Sequence, residues 1–185
     1  MIKTLVDSEY VETVVPKDVM NAIKLESVHY EDLKPYNSKL AGNIKREYVL
    51  ESCRGYVRDY VENTAREWRT GKWNMTDLWV NLMAKHEFNP PHRHGGDLSF
   101  VMFVDVPYQI EDELNMYPDT SASCSGHFSF QFANMYGDLC EKFIPVDKLY
   151  NNKMFMFPSK LKHCVYPFYT SDEFRVTVSG NLERA

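Results

Sequence analysis

The polar and apolar positions change rhythm near Gly71. Before it, Val57, Val61, Ala65 and Trp68 fall at helical spacing, with Arg58, Asp59, Glu62 and Arg66 off that stripe, so the pattern predicts an amphipathic helix from about Glu51 to Arg69. Gly71 suits its C-terminal stop, and Gly55 weakens its first turn. A shorter helix is expected after Pro16, which fits a first helical turn ahead of Val19, Met20 and Ile23. Leu33 to Ser38, with Pro35 and Asn37, reads as a loop.

Beyond Gly71 the chain breaks into short apolar or aromatic runs: Leu78 to Met83, Leu98 to Val106, His127 to Phe132, Met154 to Phe157, Val165 to Phe168 and Phe174 to Val178. Pro, Gly, Asn and Asp separate them, which predicts a sandwich, jelly roll or barrel. The expected class is therefore α+β, mainly β, in one domain: residues 1–70 as helical support outside a β core formed by residues 71–185. The abundant Phe and Tyr, and Met154 and Met156 with Phe155 and Phe157, are expected as core filling. The charged helix face is expected to be solvated.

Composition narrows the function. The 185 residues, 44% hydrophobic, are enough for a sizeable core, and no repeat or low-complexity segment interrupts them. A net charge of −5 disfavours gripping phosphate backbones. No stretch approaches the roughly 20 apolar residues of a membrane span. Asp7 and Glu9 stand where a signal peptide would be apolar, so a cytoplasmic protein is expected. Cys53, Cys124, Cys140 and Cys164 form no CxxC pair and read as reduced thiols, although Cys124 and Cys140 are close enough in sequence to pair.

Three of the six histidines carry candidate chemistry. His92 and His94 lie in Asn89-Pro90-Pro91-His92-Arg93-His94-Gly95-Gly96, and residues two apart in an extended segment face one side. The prolines restrict the backbone before the pair and the glycines permit a turn after it. His163, 69 residues beyond His94, lies between two expected strands, and a β-barrel brings such distant strands together. Two near ligands and one remote ligand have the form of a facial triad that leaves metal positions open. Arg175, 12 residues past His163, sits in an otherwise apolar strand with Thr177 on the same face. Burying it there requires a carboxylate partner, which the distal carboxylate of a metal-chelating 2-oxo acid supplies. His29, His86 and His127 are expected to be structural or exposed.

With these residues go Leu40-Ala41-Gly42-Asn43-Ile44, Trp79-Val80-Asn81, Leu98-Ser99-Phe100-Val101, Phe157-Pro158-Ser159 and Ser179-Gly180-Asn181. Together they resemble the 2-oxoglutarate/Fe(II) oxygenase family of the prolyl-hydroxylase-like superfamily, of a type often found in phage and marine bacterial genomes, over residues 40–182. The resemblance implies a double-stranded β-helix (jelly roll, cupin-like) with N-terminal helices outside and Fe(II) and the cosubstrate 2-oxoglutarate inside. It implies a dioxygenase that uses molecular oxygen to hydroxylate a C–H bond of a peptide, protein side chain or small metabolite, releasing succinate and CO2.

The wider superfamily carries His-x-Asp or His-x-Glu where this chain has His92-Arg93-His94. Either three histidines form the site or a carboxylate comes from elsewhere. Asp97 is the nearest, at an odd offset that requires a bulge across Gly95-Gly96, so strand parity favours His94. Asn81 and Asn89 are expected either to hydrogen-bond cosubstrate or to cap turns. The polar loop from Tyr108 to Ser125 is either a lid or a surface loop; at an entrance, Glu111, Asp112 and Glu113 would disfavour anionic substrates and nucleic acid. Two other readings stay open: a cupin-like metal enzyme without 2-oxoglutarate, in which Arg175 has no such role, and a non-catalytic β-sandwich, which divalent metal would not stabilise.

Overall fold

The computed structural model describes residues 1–5, 8–121 and 123–185; Asp7, invoked above, lies outside them. The strands are β1 (Ile2–Leu5), β2 (Ser8–Val14), β3 (Glu47–Val49), β4 (Trp73–Met83), β5 (Asn89–His92), β6 (Leu98–Asp105), β7 (Phe128–Ala133), β8 (Leu139–Ile144), β9 (Lys153–Pro158), β10 (Lys162–Val165) and β11 (Arg175–Arg184). The helices are α1 (Lys17–Ser27), α2 (Arg54–Trp68) and α3 (Ile110–Asn115). All strand pairings are antiparallel, in a seven-stranded sheet ordered β1-β2-β9-β6-β11-β4-β3 and a four-stranded sheet ordered β5-β10-β7-β8. The fold is mainly β, as expected.

The uninterrupted apolar runs follow from what covers the large sheet. On one face Leu78, Val80 and Leu82 of β4, Met102 of β6 and Met154 and Met156 of β9 pack with Val19, Met20 and Ile23 of α1 and Val57, Val61 and Ala65 of α2. On the other, Met83, Val101, Phe103, Phe155 and Phe157 meet Phe128 and Phe130 of β7. Strands buried on both faces need no polar alternation. The phenylalanines and methionines of these strands are core, as their composition suggested.

Helix α2 begins three residues later than its pattern predicts. The Glu26 carboxylate accepts the backbone N–H groups of Glu51, Ser52 and Cys53, holding these residues in a turn that ends at the N-cap Cys53. On the expected solvated face, Glu62 instead accepts the Met75 N–H at 3.0 Å.

Residues 1–70 are not only helical support: they also add β1, β2 and β3 to the large sheet. The expected strand Val165 to Phe168 is displaced toward the N-terminus, to Lys162–Val165. Pro167 has no N–H for a ladder, and the chain there bonds instead through the Tyr166 N–H to His127 and the Pro167 carbonyl to Gly126. β5 contains Pro90 and Pro91 and accordingly occupies a sheet edge. All four cysteines are free thiols. Among the described residues no helix is long and apolar enough to cross a membrane.

Candidate active site

The site lies between the two sheets, where β5 and β10 pair. His92 and His163 are direct cross-strand partners. His94 follows the end of β5 and is pinned by its own N–H, which donates to the Ser159 carbonyl at 3.0 Å. One ring nitrogen from each of the three histidines lies within 4.8 Å of the others, with Nε2 of His94 and Nε2 of His163 at 3.2 Å.

The remaining nitrogens explain the orientation. Nδ1 of His92 is 2.7 Å from the Pro90 carbonyl and Nδ1 of His163 is 3.1 Å from that of Leu161. A carbonyl only accepts, so both Nδ1 atoms carry the hydrogen and both Nε2 atoms carry the lone pair, which for His163 faces Nε2 of His94. Burial holds His92 below the ordinary imidazole range. Burial, followed by the charge His92 would carry, lowers His94 to about 4. Burial and then His92 and His94 hold His163 well below that range too. Neutral imidazoles are the metal-binding form.

His94 is further braced from behind. Ser99 donates to Asn181 Oδ1 at 2.8 Å, so Ser159 is the donor in its 2.9 Å bond to Ser99. Asn181 in turn donates to Asp77, as does Tyr36. This chain runs from the residue that holds His94 to a carboxylate that only accepts.

Asp97 does not join the cluster. Its carboxylate accepts the Arg184 N–H at 2.9 Å, its carbonyl the Ser159 N–H, and its side chain is exposed. Gly96, at φ 69°, turns the chain back toward β11 rather than making the bulge that would bring Asp97 inward.

Arg175 is 1% exposed. One terminal nitrogen donates to the Tyr108 hydroxyl at 3.2 Å and reaches the Gly126 carbonyl at 3.5 Å. Its Nε has no partner, and no acidic group pairs with it among the described residues. A buried guanidinium with an unsatisfied donor is a ready receptor for a carboxylate. Thr177 lies on the same face of β11, its hydroxyl accepting from Asn81 at 3.1 Å.

His92, His94, His163, Arg175, Thr177, Asn81 and Asn89 all line one pocket, with about 620 Å³ of empty space, its open mouth included. Asn81 also donates to Ser179 and accepts the Trp79 indole N–H. Asn89 leaves Oδ1 buried without a partner. His29 and His86 are exposed, and buried His127 bonds to the Ser125 carbonyl.

The polar loop differs from its reading as an entrance. Within it α3 forms, Glu111 and Asp112 are exposed, and Glu113 is fully buried, accepting the N–H groups of Tyr169 and Thr170. None of its described residues lines the pocket. Tyr108, the partner of Arg175, and Glu47, a buried acid lining the pocket, escaped the sequence reading. Neither belongs to a motif or a periodic run, so no local signal marked them.

An antiparallel two-sheet jelly roll with a histidine cluster and a buried arginine in one pocket fits the class of Fe(II)- and 2-oxoglutarate-dependent oxygenases. Residues 77–181 match the family described as "Putative 2OG-Fe(II) oxygenase", and the chain belongs to that family. No curated protein gives a sequence match.

Solved structures share the fold at low identity. A Pseudomonas putida prolyl-4-hydroxylase is 15% identical, with TM-score 0.58 over 97% of this chain and 94% of that one. The viral collagen prolyl hydroxylase of Paramecium Bursaria Chlorella virus-1, in a 2-oxoglutarate complex, is 11% identical, with TM-score 0.56 over 95% and 96%. HygX from Streptomyces hygroscopicus, with nickel, 2-oxoglutarate and hygromycin B bound, is 9% identical, with TM-score 0.63 over 96% and 84%.

Proposed function

We propose that His92, His94 and His163 hold the Fe(II) of this oxygenase and that Arg175, with Thr177, receives the distal carboxylate of 2-oxoglutarate. The observation that carries the assignment is the coexistence in one pocket of three converging neutral imidazoles and a buried arginine with an unpartnered Nε. Three neutral nitrogen ligands suit Fe(II) and leave positions for other ligands. When bound, the metal and cosubstrate couple the conversion of 2-oxoglutarate and O2 to succinate and CO2 with insertion of one oxygen atom into a substrate C–H bond.

The protein's own groups hold and shield that chemistry. The Pro90 and Leu161 carbonyls fix the His92 and His163 rings, and the Ser159 carbonyl fixes the His94 backbone. Arg175 sets the cosubstrate's direction, and Asn81 orients the Thr177 hydroxyl. Phe128 stacks on His163 at 5.7 Å and Phe157 lies against it at 4.8 Å, keeping water from the buried ligand. Asn89, with its free Oδ1, faces the same space.

The substrate is a peptide or protein side chain or a small metabolite; the net charge of −5 favours these over nucleic acid. Four free thiols suit the reducing cytoplasm, and residues 1–185 act as one domain. The test is oxygen-dependent release of succinate from 2-oxoglutarate by the Fe(II)-loaded protein. Release should be lost in His92→Ala, His94→Ala and His163→Ala. Release that persists in all three at the wild-type rate would overturn the assignment.

A further inference from the structure

The proposed chemistry leaves one charge-bearing group of the pocket unassigned, Glu47 on edge strand β3. It is 3% exposed, its Oε1 has no hydrogen-bond partner, and it joins no ion pair among the described residues. A carboxyl with a structural task would be hydrogen-bonded in such a place.

Among the described residues no neighbouring donor bonds its carboxyl. Glu47 shares a rung of the large sheet with Asn81 and Thr177, so all three face the same side. Asn81 spends its amide hydrogens on Thr177 and Ser179 and its oxygen on Trp79. Arg46, the residue before it, stacks over Phe174 at 4.9 Å, and Lys45 is exposed. The nearby charge is of the same sign: Glu87 accepts the N–H groups of Lys45 and Ala84. Burial first, and then Glu87, push the Glu47 carboxyl up to about 7.

The pocket is thus polarised. Arg175, on central strand β11, suits an anion, while Glu47, on the edge strand, repels one and lacks a cation. The 2-oxo acid belongs to Arg175, so the demand of Glu47 falls on the other organic molecule in the reaction. We infer that Glu47 is a substrate-recognition group whose carboxylate receives a basic, N–H-bearing substituent, an amine or guanidine, of the molecule whose C–H bond is oxidised. The inference rests on the oxygenase reading above and adds to it a substrate class.

The test uses one ring carrying three head groups. Cyclopentylamine, cyclopentanol and cyclopentanecarboxylate are each titrated into protein loaded anaerobically with Fe(II) and 2-oxoglutarate, and binding is read from paramagnetic relaxation of the probe protons. The amine should bind about ten- to a hundredfold more tightly than the alcohol, the range for a hydrogen bond to a charged group, and the carboxylate most weakly. Glu47→Gln should bring the amine to the alcohol's affinity while leaving the visible band of the metal–oxoglutarate chelate unchanged, and Glu47→Asp should keep an amine preference.

Equal affinity of amine and alcohol for the wild type, no amine binding up to its solubility, or a preference that survives in Glu47→Gln overturns the inference. Should Glu47→Gln fail to fold, the wild-type and Glu47→Asp titrations decide. A wild type that forms no chelate band fails the oxygenase reading itself, whereas an intact band without amine preference fails only the role of Glu47.

Discussion

Replacing Arg175 by methionine separates a cosubstrate receptor from a structural residue, because the two roles predict opposite signs for the unliganded fold. The guanidinium is 1% exposed, makes its shorter hydrogen bond to Tyr108 at 3.2 Å, and leaves Nε unsatisfied. Methionine retains the length and the contact with the Phe103 ring, over which the guanidinium now lies at 5.7 Å. Tyr108 keeps its 2.9 Å bond to the Gly126 carbonyl, so about 1 kcal/mol is lost there. Removing an unpaired buried charge offsets this by roughly 1–3 kcal/mol.

The variant without 2-oxoglutarate should therefore be as stable as the wild type or up to about 2 kcal/mol more stable, which is a few degrees of Tm for a chain of this size. Cosubstrate affinity should fall by about 2–5 kcal/mol, or roughly 30- to 5,000-fold. Differential scanning fluorimetry with fixed metal and graded 2-oxoglutarate reads both effects. Wild type at a hundred times its Kd gains about 2.7 kcal/mol, and the variant at the same concentration gains little. A variant that loses several kcal/mol before any 2-oxoglutarate is added, or gains as much from it as wild type does, refutes the reasoning.

Four further outcomes follow from the same geometry. Stabilisation of the fold by divalent metal should disappear in His94→Ala and persist in Asp97→Asn, since Asp97 serves the Arg184 N–H; the reverse result in thermal scans would make Asp97 the ligand. Gly180→Ala should destabilise the protein by about 1–3 kcal/mol in urea titration, because a Cβ there runs into the Asp77 carbonyl oxygen and the buried Phe100 ring; a change within about 0.5 kcal/mol contradicts that packing. Without metal, stability should fall as pH drops below about 6.5, because the unfolded chain takes up protons that the depressed histidines refuse. Glu47 works in the opposite direction: its folded pKa is raised from 4.5 to about 7, so it favours the fold at low pH and loses that contribution as pH rises through this window. Glu47→Gln should therefore steepen the acid loss measured by Tm between pH 7 and 5, and an unchanged slope would show that Glu47 does not titrate as described.

How much was legible in the chain depended on whether a residue's role was local. Helices α1 and α2 show through their 3.6-residue stripes, β4, β6 and β9 through apolar runs that packing on both faces makes continuous, and β11 through Val176 and Val178, which alternate with the pocket-lining Arg175, Thr177 and Ser179. The pairing of His92 with His94 rests on strand parity, and His163 and Arg175 stand out as polar residues flanking or interrupting such runs. Strands β1, β2, β3, β5 and β8 did not show. β3 is three residues long, β5 carries two prolines, and β8 lies at a sheet edge with Glu141 and Lys142 within it. β3 and β5 depend on partners distant in sequence, β4 and β10, and β2 on β9. Glu113 read as a solvated loop acid because nothing local reveals that the Tyr169 and Thr170 N–H groups, more than fifty residues away, wait for it. Glu47 and Tyr108 were missed for the same reason: each acquires meaning only from what the fold brings against it.

The central claim is that three histidines and one arginine assemble a metal and a 2-oxo acid in one pocket. It is tested most directly by anaerobic titration of Fe(II) and then 2-oxoglutarate, watching the weak visible metal-to-ligand charge-transfer band of the chelate. The band should form in the wild type, vanish in His163→Ala, and require far more 2-oxoglutarate in Arg175→Met. Metal binding without a band in the wild type, or a band of full strength in His163→Ala, would contradict the account.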